Sequence, residues 1–232
     1  MRPRHKPDNA TRRKRFPDPR TAGPDGLLAY SADIDAGLLL EAYQIGVFPW
    51  PQQDSPMLWF SPQERGILEF NDLHLSQSFR KFLKKTTLKL KINTAFKDVI
   101  IACAKQPRPG QDGTWITKEM IRAYREFHEQ GFVHSIEAWQ DETLVGGLYG
   151  VYVNSMFCGE SMFHTRAGAS KFCLYHVTRL LSAAGHTWMD IQMVTPLLES
   201  WGGKLITRDE YLERLVKASS ASVTNPFEAN SL

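Results

Sequence analysis

The chain has 232 residues, of which 42% are hydrophobic, 11% are aromatic and 23% are charged. This apolar and aromatic content excludes a chain that is disordered throughout, because such chains lack the residues to form a core. No apolar run approaches the ~18–20 residues that a membrane-spanning helix needs, so we expect no membrane partner. The length is enough for one domain or two small ones.

The net charge of +3 is unevenly distributed along the chain. Residues 1–20 contain eight Lys or Arg and two Asp, a net charge of +6, whereas the remaining residues contain 20 basic and 23 acidic side chains. This basic start lacks the apolar stretch of a secretory signal. Three widely spaced cysteines, Cys103, Cys158 and Cys173, indicate neither a disulfide framework nor a zinc site. We therefore expect a cytoplasmic protein with reduced thiols and no bound metal.

The N-terminal part is predicted to hold a flexible arm and a small domain. Residues 1–25 are rich in Pro, Arg and Asp and show no periodicity, which predicts a flexible basic arm. Asp35 is placed to cap a helix that ends at Gly46, and a Pro-rich loop is predicted from there to Pro62. We assign residues 26–110 to a small α/β domain.

A dense cluster of positive charge falls on the next predicted elements. Ser76 predicts the N-cap of a helix through about Lys85, and the period-two pattern of residues 88–92 predicts a half-buried strand. Residues 80–97 contain seven Lys or Arg and no acidic residue. Such a cluster suits contacts with phosphates, although an exposed lysine face is more often only solvated.

The second half predicts a layered α+β domain over residues 111–217, followed by a polar tail over 218–232. Thr117 is placed to cap its first helix, which ends at Gly131. The elements that follow are predicted in this order: antiparallel strands over 132–139, 143–153 and 156–162, a helix over 169–183, a strand over 187–192, and short helices near 197–201 and 208–217. The predicted fold class is therefore α+β.

Several common catalytic motifs are absent from the sequence. It contains no GxxxxGK[ST], no GxGxxG after a strand, no HExxH and no GxSxG, which argues against a P-loop nucleotidase, a dinucleotide-binding fold, a zincin and a serine hydrolase. Glu160, Asp190 and Gln192 instead stand at the ends of predicted strands. Polar groups at strand ends often converge on a pocket, so these three residues are candidates for one cleft. Taken singly, a strand-end carboxylate is more often a capping or solvated group, and a residue such as Gln192 more often hydrogen-bonds to the backbone.

Eight short motifs occur in an order that is recognisable. They are Gly26-Leu-Leu-Ala29, Ala42-Tyr-Gln44 with Phe48-Pro-Trp50, Gly113-Thr-Trp-Ile-Thr117, His134-Ser-Ile-Glu137, Leu144-Val-Gly-Gly147 with Tyr149-Gly-Val151, Phe157-Cys-Gly-Glu-Ser-Met-Phe163, Ala169-Ser-Lys171 and Asp190-x-Gln192. Together they resemble the bacterial leucyl/phenylalanyl-tRNA–protein transferases over about residues 24–216. The resemblance implies a small N-terminal domain and a C-terminal GNAT-like (acetyltransferase-like) domain with a mixed sheet.

The resemblance also implies an activity. Members of that family move Leu, Phe or, less readily, Met from its tRNA ester to the α-amine of proteins that begin with Arg or Lys, and the product is a degradation signal. The partners implied are therefore the charged tRNA and a protein or peptide with N-terminal Arg or Lys. Since the ester is already activated, the reaction requires no ATP, metal or other cofactor.

Roles for individual residues follow from the same resemblance. Gln192, oriented by Asp190, would contact the attacking amine, and Glu160 would face the cationic acceptor. Trp50 and Trp115 would hold the aminoacyl-adenosine end, as indole faces suit base stacking. The residues that would line the amino-acid pocket are Leu148, Phe157, Met162, Leu174 and Val177, with His164 at its rim. The candidates for contact with the tRNA acceptor stem are Arg80, Lys81, Lys84 and Lys85.

Departures from the family pattern leave alternatives open. His164 stands where the family often has Ser, and Leu197 stands where it usually has His. One alternative is a related transferase with altered donor or acceptor preference, and another is an aminoacyl-tRNA-binding protein without activity. A CoA-dependent acetyltransferase is a third, but the phosphate-binding motif of that class is matched only by Gly168.

Overall fold

The computed structural model describes residues 15–51, 56–107 and 114–228. The helices and strands in these ranges are β1 (Leu27–Ser31), α1 (Ala36–Gln44), β2 (Phe48–Pro49), β3 (Met57–Phe60), β4 (Glu64–Glu69), α2 (Gln77–Lys85), β5 (Lys89–Ile92), α3 (Phe96–Lys105), α4 (Lys118–Glu129), β6 (Val133–Gln140), β7 (Thr143–Val153), β8 (Met156–His164), α5 (Ala169–Ala183), β9 (Trp188–Gln192), α6 (Pro196–Ser200), β10 (Gly203–Thr207) and α7 (Arg208–Ser219). No helix in the described part of the chain is long and apolar enough to cross a membrane.

A seven-stranded mixed sheet organises the molecule, with strand order β10-β4-β9-β8-β7-β6-β5. Its strands pair antiparallel except β8 and β9, which are parallel. A separate three-stranded antiparallel sheet, β1-β3-β2, lies in the N-terminal part. The prediction of an α+β protein with a mixed sheet is therefore confirmed.

Two hydrophobic clusters form because side chains along the strands alternate between the two faces of the sheet. On β7, Tyr149 belongs to a cluster shared with α1, α3, α4 and the small sheet. Its neighbour Leu148 belongs to a second cluster, shared with α2, α5 and α6. We call these the α4-side cluster and the α5-side cluster.

The helix starts follow the predicted caps. Asp35 Oδ1 accepts from the Leu38 N–H at 2.7 Å, Ser76 Oγ from Phe79 at 3.2 Å and Thr117 Oγ1 from Met120 at 3.3 Å. In contrast, the predicted Pro-rich loop through Pro62 is wrong, because β2 and β3 lie within it. The two-residue strand β2 tolerates Pro49 because β2 lies at the edge of the small sheet, where a proline leaves no ladder hydrogen bond unmade.

Strand pairing does not follow the predicted boundary at 110/111. Both β4 and β5 come from the segment that we assigned to the small domain, yet they are strands of the seven-stranded sheet. For β5 the pairing partner is β6, with Lys89 opposite Trp139. Such long-range pairing leaves no local trace in the sequence, so the composition change near residue 110 did not reveal it.

The described segments nearest the two chain ends are packed where a flexible arm and a polar tail were predicted. Residues 15–25 are not a free arm, because Phe16 is 8% exposed and its ring lies 4.9 Å from that of Trp59. Arg15 also donates to Glu41 at 3.0 Å. At the other end, Phe227 is 1% exposed within the predicted polar tail. The rest of the arm, residues 1–14, and residues 229–232 lie outside the described residues.

Candidate active site

The candidate site lies where the parallel strands β8 and β9 separate. Their pairing is limited to Cys158 opposite Asp190, and Glu160 and Gln192 each stand two residues beyond that pair. The amide Nε2 of Gln192 donates to Glu160 Oε1 at 2.7 Å. The structure thus brings together the three strand-end residues that the sequence predicted.

Irregular backbone geometry sets the direction of the Glu160 and Gln192 side chains. On β8 the register passes from Tyr149–Ser161 to Gly150–Gly159, so Glu160 is the extra residue of a β-bulge. Bulges commonly redirect a side chain beside an active site. Gln192 has a left-handed φ of 58°. Gly66 lies opposite it, and a Cβ there would come within 2.9 Å of the Met193 backbone, so this close approach requires glycine.

Asp190 is sealed beneath Gln192. It is 0% exposed, and its carboxylate accepts from Arg65 Nε at 2.9 Å, Arg65 Nη2 at 2.6 Å and the Tyr211 hydroxyl at 2.8 Å. Its Oδ1 also accepts from the backbone N–H of Gln192 at 2.8 Å. Burial opposes ionisation, but the charge and hydrogen bonds of Arg65 prevail, so the pKa of Asp190 lies below its usual value.

Arg65, which sequence reasoning missed, is the counterion of Asp190. It is 1% exposed, and its guanidinium lies 4.4 Å from the ring centre of Phe48 and 4.5 Å from that of Tyr211. Its Nη1 donates to the Gly46 carbonyl at 3.1 Å. A buried carboxylate needs a cation as its partner. The sequence feature that could have indicated this partner is an arginine directly before the apolar residues of β4.

Two tyrosines to which the sequence analysis assigned no role, Tyr43 and Tyr124, lie beside Glu160. The Tyr124 hydroxyl donates to Glu160 Oε2 at 3.4 Å, and the Tyr43 and Tyr124 hydroxyls are 2.7 Å apart. Burial raises the pKa of Glu160 to about 7, although hydrogen bonds from Tyr43 and Gln192 favour the charged form. Glu160 therefore changes its protonation near neutral pH, unlike Asp190.

The two candidate tryptophans contact each other. The rings of Trp50 and Trp115 are stacked, with centroids 5.3 Å apart and planes inclined by 10°. Both are half-buried and pack against the α4-side cluster, which also contains Tyr124 and Tyr43. Each indole therefore covers one face of the other, and both keep part of their surface exposed.

The five predicted pocket residues belong to the α5-side cluster. Leu148, Phe157, Leu174 and Val177 are at most 4% exposed, while Met162 is partly buried against them. His164 is exposed at the end of β8, and its Nδ1 lies 3.4 Å from Ser170 Oγ. The structure therefore places the apolar residues together and His164 outside them.

The predicted phosphate-binding residues are exposed on α2. These are Arg80, Lys81, Lys84 and Lys85, of which Arg80 donates to the Leu75 carbonyl at 3.0 Å. The opposite face of α2 packs on the α5 side, where the ring of Phe82 covers Gly168 at the start of α5.

The described residues contain no group of three or more His, Cys, Asp or Glu that could hold a metal ion.

Comparison with known families decides the classification. Residues 67–216 match the family model described as leucyl/phenylalanyl-tRNA protein transferase, and residues 32–63 match the N-terminal domain of that family. The transferase of Pseudoalteromonas atlantica is 47% identical over 88% of this chain and 87% of its own. That of Shewanella sediminis is 44% identical over 91% of this chain and 90% of its own.

The chain belongs to the leucyl/phenylalanyl-tRNA–protein transferase family. The recognition from eight short motifs is thus confirmed, as is the classification of the protein as an aminoacyltransferase. The two family models match residues up to 63 and from 67 onward, so β5 and the second half of β4 fall within the larger, C-terminal match of the leucyl/phenylalanyl-tRNA–protein transferases.

Solved structures give a weaker comparison. A functionally unknown protein of Staphylococcus epidermidis covers 78% of this chain and 68% of its own, with 9% identity and a TM-score of 0.39. The L-PGS structure of Bacillus licheniformis covers 82% of this chain and 71% of its own, with 10% identity and a TM-score of 0.39. These values are too low to assign a fold, so membership of the transferase family depends on the sequence matches.

Proposed function

We propose that the protein transfers Leu, Phe and, less readily, Met from charged tRNA to the α-amine of proteins or peptides that begin with Arg or Lys. The product would be a degradation signal. The observation that carries this proposal is the hydrogen bond from Gln192 Nε2 to Glu160 Oε1 at 2.7 Å, made where β8 and β9 diverge. It leaves the Gln192 carbonyl oxygen available to accept from an incoming amine.

The proposed reaction is aminolysis of an ester. The α-nitrogen of the acceptor forms a bond with the carbonyl carbon of the aminoacyl group, and the bond from that carbon to the ribose oxygen breaks. The departing oxygen of the tRNA takes up a proton, and the attacking nitrogen loses its own. Holding nitrogen and carbon at ~3–3.5 Å supplies much of the acceleration, because it replaces a bimolecular encounter.

Asp190 acts here as a positioning residue. Both of its oxygens already accept hydrogen bonds, from Arg65, Tyr211 and the Gln192 backbone, and none of its surface is exposed. A proton from the substrate therefore has no path to it. Its bond to the Gln192 N–H instead fixes a left-handed backbone, which aims the Gln192 side chain into the cleft.

Glu160 accepts the proton of the amine in this proposal. It is partly exposed, and its pKa of about 7, raised by burial, lies close to the ~8 of an α-amine. Matched pKa values make proton transfer efficient, and once the proton has moved the carboxyl can return it to the leaving oxygen. A neutral amide such as Gln192 is too weak a base for this step, so it serves to orient the amine.

The remaining residues bind the donor. The partly exposed indoles of the Trp50–Trp115 stack would hold the terminal adenosine, since base stacking contributes ~1–3 kcal/mol without reading sequence. The α5-side residues would accept an unbranched or aromatic side chain. The exposed lysines of α2 would contact the acceptor stem through its phosphates, as proteins commonly bind RNA helices by backbone and shape.

The order of α4, three antiparallel strands, α5, β9 and further helices supports a GNAT-like C-terminal domain. An acetyltransferase activity is less well supported. That class holds the CoA pyrophosphate on free backbone N–H groups at a helix start, and here Gly168 packs against the ring of Phe82. A Cβ on Gly168 would lie 2.9 Å from Phe82 Cζ.

A transfer assay tests the proposal. Leu-, Phe-, Met- and Val-tRNA serve as donors, and matched peptides that begin with Arg, Lys, Asp or Ala serve as acceptors. We expect transfer of Leu and Phe, weaker transfer of Met, and product only with Arg and Lys. Use of another donor or acceptor would mean a transferase of altered preference. Binding of charged tRNA without any product would favour the non-catalytic alternative.

A further inference from the structure

The C-terminal segment after α7 returns to the α5 side of the main sheet. Phe227 is 1% exposed there and belongs to the α5-side cluster. Its ring stacks on His134 at 4.0 Å with the planes inclined by 6°. It also lies 5.6 Å from Tyr152 and 5.6 Å from Phe157. Phe227 therefore contacts a residue of the proposed amino-acid pocket from behind.

Specific hydrogen bonds fix the path of this segment. The Thr224 N–H donates to the Ala184 carbonyl at 3.3 Å, next to the end of α5. The Asn225 side chain accepts from the Phe227 N–H at 3.0 Å, which forms a tight turn just before the ring. His186 Nε2 lies within 3.4 Å of the Thr224 carbonyl. The ring position is thus set by a defined turn.

Phe157 is held between Phe227 and the floor of the sheet. A Cβ on Gly150 would lie 2.4 Å from Phe157 Cζ, so the Phe157 ring already rests against the backbone of β7. It cannot retreat further in that direction. The ring of Phe227, at 5.6 Å and inclined by 30°, packs on it from another side. Movement of Phe157 away from β7 toward Phe227 therefore requires Phe227 to move as well.

We propose that Phe227 is a positioning residue for donor selection, because it fixes Phe157 and with it the depth of the amino-acid pocket. This inference rests on the proposed function, in which Phe157 lines that pocket. Phe227 lies beyond residues 67–216, the range matched by the family model, so Phe157 of this chain is supported by a residue outside that range.

The test compares donor preference rather than activity alone. Phe227→Leu keeps an apolar side chain but removes the stack, and Phe227→Met is a second variant of similar volume. The kcat/KM values for Leu-, Phe- and Met-tRNA are measured with one Arg-initiated peptide, together with the Tm. We expect the Phe-to-Leu ratio of kcat/KM to rise about 5-fold; one substrate methylene in an apolar pocket is worth ~10–200-fold, and these variants alter the pocket only through Phe157.

Phe16→Leu is the matched control, because Phe16 likewise anchors a chain end through one aromatic contact, with Trp59 at 4.9 Å. It should lower the Tm comparably and leave the donor ratio unchanged. A ratio within 2-fold of the wild type in both Phe227 variants, or an equal change in Phe16→Leu, would overturn the inference. A wild-type protein that transfers neither Leu nor Phe would instead contradict the proposed function.

Discussion

Asp190 and Glu160, carboxylates at the ends of the neighbouring strands β9 and β8, differ in burial, in hydrogen bonding and in pKa. Asp190 is 0% exposed and hydrogen-bonded to Arg65, Tyr211 and the backbone, whereas Glu160 is partly exposed and hydrogen-bonded to neutral groups, namely Gln192, Tyr124 and Tyr43. Arg65 keeps the pKa of Asp190 low against the effect of burial, and burial raises that of Glu160 to about 7. The presence or absence of a cationic partner therefore separates the two roles: Asp190, paired with Arg65, stays charged and positions Gln192, whereas Glu160, without such a partner among the described residues, is suited to exchange a proton.

The largest expected effect is on folding, through Arg65. Arg65→Met leaves the carboxylate of Asp190 buried without a cation, so we expect a loss of ~3–5 kcal/mol in the free energy of unfolding. Urea denaturation measures it. The double variant Arg65→Met/Asp190→Leu should recover most of that stability but not transfer, because the Gln192 N–H loses its acceptor. A single variant within ~1 kcal/mol of the wild type would contradict this role for Arg65.

The next effect is on catalysis, through Glu160. Glu160→Gln keeps a side chain that can hydrogen-bond but cannot accept a proton, so we expect kcat to fall ~10²-fold or more with the Tm preserved. Single-turnover transfer from Leu-tRNA to an Arg-initiated peptide measures it. Glu142→Gln, at an exposed turn, is the control. A kcat within a few-fold of the wild type would remove Glu160 as the proton acceptor.

A smaller effect concerns pH. Since protonated Glu160 cannot accept a proton, kcat should rise with pH through about 7 and then level off. Tyr43→Phe removes a hydrogen bond that favours the charged form, so the rise should move to higher pH by about one unit. The control is Tyr152→Phe, whose hydroxyl contacts His186 instead. A profile that does not move would separate Tyr43 from the ionisation of Glu160.

The smallest expected effect is on tRNA binding, and it tests whether the exposed lysines of α2 contact phosphates or are only solvated. Reversal of Lys84 and Lys85 to Glu should weaken tRNA binding several-fold and flatten its dependence on salt, because each lost phosphate contact lowers the slope by ~0.7–0.9. Binding at several salt concentrations measures this, with Lys118→Glu/Lys217→Glu as a control of equal charge. An unchanged slope would mean that the α2 lysines are only solvated.

The sequence predicted the site residues better than it predicted how they are held. Glu160, Asp190 and Gln192 could be found because strand ends are marked by local pattern and by the motif Asp190-x-Gln192. Arg65 could not be paired with Asp190 in advance, since the two are 125 positions apart and no local pattern links them. The bulge at Glu160 was also missed, because an extra residue in one strand is visible only against its partner.

The fold shows the same limit. Helices with side-chain caps, such as the one that begins after Thr117, were predicted with nearly correct bounds. The strands β1, β2, β3, β4 and β10 were missed, as they are short or lack the period-two alternation of a half-buried strand. Phe227 escaped notice because a single aromatic residue in a polar segment does not form a pattern.

The contacts of Arg65 also determine at which stage of protein synthesis the site can form. It joins Gly46 after α1, Asp190 on β9 and Tyr211 on α7, residues that are up to 146 positions from Arg65 in sequence. A chain that is still being synthesised contains Gln192 before it contains Tyr211, so the buried carboxylate lacks one of its donors until α7 has emerged and docked. Order of synthesis thereby makes competence for transfer one of the last properties that the nascent chain acquires.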